Sequence, residues 1–73
     1  MNVMFAAFQS RRDAIAYARS LARMRVRVRV VATPSGIGSG CGLSVKFPRS
    51  AFPVAEGILS MGEYGSFLGF YRG

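Results

Sequence analysis

The hydrophobic pattern of the chain changes rhythm several times, and each change marks an element. Val3 to Phe8 (Val-Met-Phe-Ala-Ala-Phe) is a short apolar run. Its length and aromatic content predict a strand buried on both faces. From Arg11 to Met24 the period is helical. Ala14, Ile15, Ala18, Leu21 and Ala22 share one face, and Arg12, Arg19 and Arg23 share the opposite one. Ser10 stands before this stretch as an N-cap, with Asp13 three residues on, in the manner of a short capping box. At Arg25 the period drops to two. Val26, Val28, Val30 and Ala32 alternate with Arg25, Arg27, Arg29 and Val31. This predicts a strand over 25–32 that is apolar on one face and basic on the other.

Thr33 to Gly40 is rich in Pro, Ser and Gly and reads as a loop. Gly42 to Phe47 alternates again, with Leu43, Val45 and Phe47 on one face, and Pro48 ends it. Ser50 is expected to cap a second helix, with Pro53 in its first turn. Val54, Ala55, Ile58, Leu59 and Met61 form its apolar stripe, and Gly62 stops it. Ser66 to Tyr71 supplies a fourth strand. The order strand, helix, strand, strand, helix, strand, with right-handed crossovers, predicts an α+β fold. It is the ferredoxin-like βαββαβ two-layer sandwich, a four-stranded antiparallel sheet with two helices on one face. The whole chain, 1–73, is expected to form one domain. The second strand falls at an edge, where charged side chains guard against aggregation. Phe5, Phe8, Phe47, Phe52, Phe67, Phe70 and Tyr71 are expected in the core.

Composition narrows the chemistry. The chain is 51% hydrophobic and 18% charged, so it folds, but 73 residues make a small core that a homodimer interface would extend. Nine arginines and one lysine face only Asp13, Glu56 and Glu63, a net charge of +7 that favours anionic partners. There is no histidine and a single cysteine. A disulfide framework, a multi-cysteine metal site, a Cys/His nucleophile pair and a paired-carboxylate site are therefore excluded, and no cofactor is expected. The apolar N-terminal run precedes Arg11-Arg12 instead of following a basic stretch, and it is too short to span a bilayer. That order and the free thiol point to a cytoplasmic protein.

Cys41 lies in the glycine-rich run Pro34-Ser35-Gly36-Ile37-Gly38-Ser39-Gly40-Cys41-Gly42. A glycine on each side lets backbone and solvent approach the sulfur. The glycines at 36, 38, 40 and 42 read as turn geometry, and the Gly-Lys-Ser/Thr ending of a phosphate loop is absent. In the expected topology the loop between the second and third strands meets the exit of the first strand, Phe8-Gln9-Ser10. Cys41 would then sit near the N-terminus of the first helix, beside Arg11 and Arg12. Helix N-termini and arginines lower a thiol pKa, and here they would take the place of an imidazole base.

The spacing Phe8-x-Ser10-x-x-x-Ala14, the valine-rich strand, and Thr33-Pro34-Ser35-x-Ile37-x-Ser39-x-Cys41-Gly42-Leu43-Ser44-Val45-x-Phe47 resemble the DUF3343 family of small selenium/sulfur-carrier-like domains. The resemblance covers nearly the whole chain and places the family's cysteine at Cys41, with Ser39 and Gly42 as motif neighbours. It implies a carrier that holds sulfur or selenium on Cys41 as a persulfide or selenosulfide and hands it to an acceptor protein. Ser39, Gly40, Gly42, Ser10, Arg11 and Arg12 would support the thiol. A donor such as a cysteine desulfurase would dock on Arg25, Arg27 and Arg29. Such a protein is a relay, not a stand-alone enzyme. One departure is Ser35, where the family usually follows the proline with a basic residue. The alternative reading is a small basic RNA-binding or protein-interaction module with a structural cysteine. The RNA-recognition signature is absent, although Phe67-Leu-Gly-Phe70-Tyr71 carries similar aromatics.

Overall fold

The computed structural model describes residues 2–33 and 42–72. Its elements are β1 (Val3–Phe8), α1 (Arg11–Arg23), β2 (Arg29–Ala32), β3 (Leu43–Pro48), α2 (Phe52–Met61) and β4 (Phe67–Arg72). The sheet order is β2-β3-β1-β4 and every pairing is antiparallel, which is the ferredoxin-like sandwich expected from the sequence. β2 lies at an edge, as its charge pattern requires.

Residues directly opposite in an antiparallel pair share a face, so the register sorts the strands into two sides. Met4, Ala6 and Phe8 of β1 stand opposite Phe47, Val45 and Leu43 of β3 and face the helices. Ala14, Tyr17, Ala18 and Leu21 of α1 and Ala55 of α2 close the core over them. Val3, Phe5 and Ala7, with Ser44 and Lys46, alternate to the side that bears no helix. The aromatic core is continuous. Phe8 stacks at 5.1 Å on Tyr17, 5.4 Å on Phe67 and 5.9 Å on Tyr64, and Phe70 continues the chain to Phe52 and Phe47.

The core corrects the sequence reading of α1. Its buried stripe is Ala14, Tyr17, Ala18 and Leu21, whereas Ala22 is exposed. Tyr17 is drawn inward because its hydroxyl donates a 2.6 Å hydrogen bond to the Ala55 carbonyl, which satisfies its one polar atom. Burial pushes its phenol pKa up, and Tyr64 adds to the shift. Two aromatics expected in the core, Phe5 and Tyr71, face each other on the helix-free side of the sheet instead.

β2 is shorter than predicted. Residues 25–28 are not strand, because α1 ends in a structured turn. The Arg25 N–H donates to the Ala22 carbonyl at 2.9 Å and the Val26 N–H donates to the Leu21 carbonyl at 3.1 Å. With Arg25 at φ 62°, this is a Schellman stop carrying arginine where glycine is usual. Val26 and Val28 still pack on the core, so the valine alternation is used by an extended approach to the strand and only its last part enters the ladder. The left-handed backbone costs a non-glycine residue about 1 kcal/mol. Arg25→Gly is therefore expected to raise the melting temperature by roughly 4–8 °C. An unchanged or lower value in a thermal melt would show that the Arg25 side chain contributes more than its backbone conformation costs.

Ser50 does not cap α2. It lies in a 3-10 turn, Arg49–Ala51, and the helix begins from Ala51 with no side-chain cap. The turn carries the chain round from Pro48 and leaves Ser50 exposed one residue too early. Pro53 sits in the first turn, and Gly62 ends the helix in an extended conformation, its N–H donating to the Ile58 carbonyl. β4 carries a bulge against β1 between Ala7 and Phe8, which leaves Leu68 exposed and returns Phe67 to the core.

Candidate functional site

Three chain crossings meet where β1 leaves the sheet. The first is the start of α1. Ser10 is its N-cap, and its hydroxyl accepts from the Asp13 N–H at 3.4 Å. Asp13 does not return the bond to Ser10, as a capping box would. Its carboxylate accepts from the Ser66 hydroxyl at 2.7 Å and the Ser66 N–H at 3.1 Å. The Ser66 hydroxyl in turn accepts from the Ser10 N–H at 3.0 Å. Ser66 thus relays the cap between Ser10 and Asp13 and ties the start of β4 to the start of α1. The bonds from Ser66 lower the pKa of Asp13, with Arg12 assisting and burial opposing. A carboxylate held ionised at the head of α1 answers the helix's own positive end. Cationic support for any anion here falls on Arg11 and Arg12, both exposed.

The second crossing is Gly42. A Cβ at this position would stand 2.1 Å from the Phe8 carbonyl oxygen and 3.3 Å from the Gln9 Cα. A glycine is required here because two backbones approach too closely for a side chain. The third crossing is Thr33, whose N–H donates to the Gly42 carbonyl at 3.2 Å. The hydroxyls of Thr33 and Ser44 share a buried 3.1 Å hydrogen bond. Neither could be recognised from spacing alone, because 11 residues separate them.

Cys41, Ser39 and Gly40 lie outside the described residues. Their attachment point is within them. Gly42, which follows Cys41 directly, rests on the Phe8–Gln9 backbone, at the end of the sheet that also holds Ser10, Arg11 and Arg12. Among the described residues no group of histidine, cysteine and carboxylate side chains could hold a metal ion. No described helix is long and apolar enough to cross a membrane.

The three arginines expected to form one stripe separate. Arg25 occupies the turn after α1, and Arg29 alone of the three lies in a strand. Arg27 and Arg29 join Lys46 around a cavity of about 290 Å³ on the other half of the sheet. Gly42 and Lys46 are four residues apart on one extended segment, about 13 Å. A larger, apolar groove of about 530 Å³ runs between the end of α1 and α2, where Met24 and Met61 are exposed. Its polar lining is Ser20, Arg23 and Tyr64, and the Ser20 and Tyr64 hydroxyls are spent on a 3.3 Å hydrogen bond to each other.

The family model described as "Putative Se/S carrier protein-like" matches residues 4–71. No curated protein and no solved structure matched the chain.

Proposed function

The chain belongs to the Se/S carrier protein-like family, and from that membership we propose that it carries sulfur or selenium on Cys41. The match from residue 4 to residue 71 is the observation that bears most weight, since it spans the chain's only thiol. The Cys41 thiolate attacks the terminal sulfur of a donor persulfide. A new S–S bond forms at Cys41, the donor's S–S bond breaks, and the donor cysteine leaves as its thiolate. An acceptor thiolate repeats the exchange on the outer sulfur. No net oxidation occurs and no acid–base pair is needed. A selenium atom follows the same path as a selenosulfide.

The chain's other residues support this role in distinct ways. Gly42 fixes the residue after Cys41 against β1, while Arg11 and Arg12 supply positive charge at that end of the sheet. A donor such as a cysteine desulfurase and a thiol-bearing acceptor protein would both be partners.

Intact mass after incubation with a cysteine desulfurase and cysteine tests the reading. The expected result is a gain of one sulfur atom that reductant removes and that Cys41→Ser abolishes. An unloaded protein whose Cys41 also resists small alkylating agents while folded would overturn it and return the cysteine to a structural role.

A further inference from the structure

On the helix-free side of the sheet, one row crosses all four strands in register. Arg29 of β2 stands opposite Lys46 of β3, Lys46 opposite Phe5 of β1, and Phe5 opposite Tyr71 of β4. Two cations and two aromatic rings therefore lie side by side on a line about 14 Å long. Arg29 is exposed, and Lys46, Phe5 and Tyr71 are half-buried. Arg27 adds a third cation at the rim of the cavity beside Arg29 and Lys46.

Two further facts give the row a direction. All three acids of the chain lie off the strands: Asp13 in α1, Glu56 in α2 and Glu63 after it. The charged side chains that the strands carry are therefore all positive. Tyr71 also leans along its strand. A Cβ on Gly69, at φ 151°, would stand 3.3 Å from the Tyr71 hydroxyl oxygen and 3.5–3.6 Å from ring carbons. The ring covers a residue that has no side chain, an arrangement that steadies a strand glycine. The Tyr71 hydroxyl has no hydrogen-bond partner among the described residues.

We propose that this row is a docking surface for single-stranded RNA. Unstacked bases would rest on Phe5 and Tyr71, and the phosphates would lie along Lys46, Arg29 and Arg27. Aromatic platforms beside cations are how proteins hold single strands, and a duplex would present no free base faces to them. The free Tyr71 hydroxyl is a donor and acceptor for a ribose 2′-hydroxyl. An acidic protein segment would match the cations but would leave the two rings unused. The surface lies on the half of the sheet away from Gly42 and does not depend on what Cys41 carries.

Fluorescence anisotropy of the full chain with a labelled single-stranded RNA of about ten nucleotides tests it. Saturable binding is expected, with affinity falling linearly in log salt. The pair Arg29→Gln/Lys46→Gln should weaken binding and reduce that slope by about 1.4, two phosphate contacts on a single strand. Tyr71→Leu should weaken binding about tenfold and leave the slope unchanged. Because the glutamine pair changes side-chain ends at a surface, it tests the proposal even if Tyr71→Leu fails to fold. The pair Arg19→Gln/Arg23→Gln, on the exposed face of α1, removes equal charge and should cost much less. Four results would each overturn the proposal: no binding at low salt, an equal loss from the α1 pair, equal affinity for the same sequence as DNA, or tighter binding of a poly-glutamate peptide that ignores Tyr71→Leu.

Discussion

Gly42→Ala is expected to be among the most damaging single substitutions in the chain, although it adds only one methyl group. The new Cβ would fall 2.1 Å from the Phe8 carbonyl oxygen and 3.1 Å from its carbon. Both are backbone atoms, so no side chain can rotate away. Relief requires β3 to shift against β1, and the two strands are paired in register from Val3–Pro48 to Phe8–Leu43. It would also strain the Thr33 N–H to Gly42 carbonyl bond that closes the base of the 34–41 segment. Overpacking of this kind costs about 3 kcal/mol, a large part of the total stability of a small domain. The melting temperature should fall by roughly 12–24 °C. A melt within a few degrees of wild type would mean that the approach of Gly42 to Phe8 is looser than described. Sulfur loading of this variant, measured below its melting range, would also show whether the anchor beside Cys41 matters to carriage.

Phe8→Ala is the second large effect. Phe8 is fully buried and touches three aromatic rings at once, on α1, on β4 and at Tyr64 between α2 and β4. Its removal leaves a cavity at the point where both layers meet, and large-to-small changes at such aromatic sites cost about 3–5 kcal/mol. A protein of this size has little to spare, so the variant should be largely unfolded in urea concentrations that leave wild type intact. Phe5→Ala makes the control. Phe5 lies three residues earlier on the same strand but on the opposite, helix-free face, half-buried. Its loss should cost about 1 kcal/mol. Similar destabilisation by the two changes would contradict the division of β1 into a core face and a helix-free face.

The strand and helix order was legible because each element keeps a clean period. β1, with its apolar run, α1, with arginines opposite its alanines, and β3, with Leu43, Val45 and Phe47 alternating, all occur within a residue or two of their expected bounds. Three details were not legible. The late entry of the valine alternation into the sheet depends on Arg25 adopting a left-handed backbone, which arginine does not advertise. The inward turn of Tyr17 depends on a carbonyl 38 residues away. The relay of the α1 cap through Ser66 spans 53 residues. In the last two cases the deciding partner is distant in sequence, so local pattern carries no trace of it, whereas the Arg25 turn is closed locally on Ala22 and Leu21 by a residue type that does not mark a left-handed backbone.

The candidate site divides in the same way. The family resemblance and the role proposed for Cys41 rest on a local motif, and the family is what the match over 4–71 supports. Gly42 was noticed as one of a run of glycines, but only the pairing of β1 with β3 shows that it touches Phe8. The basic alternation at 25–29 read as one stripe. The fold instead sends Arg25 into a turn and sets Arg29 in line with Lys46, Phe5 and Tyr71.

By itself, then, the sequence determined which segments become helix and strand, their order and hence the antiparallel sandwich, because periodicity and connection rules act over a few residues at a time. The tertiary structure alone decided which face of the sheet each aromatic occupies, which glycine is sterically obligatory and which charges stand together. Those outcomes follow from strand register, and register is set only when residues far apart in the chain are brought to within one hydrogen bond of each other.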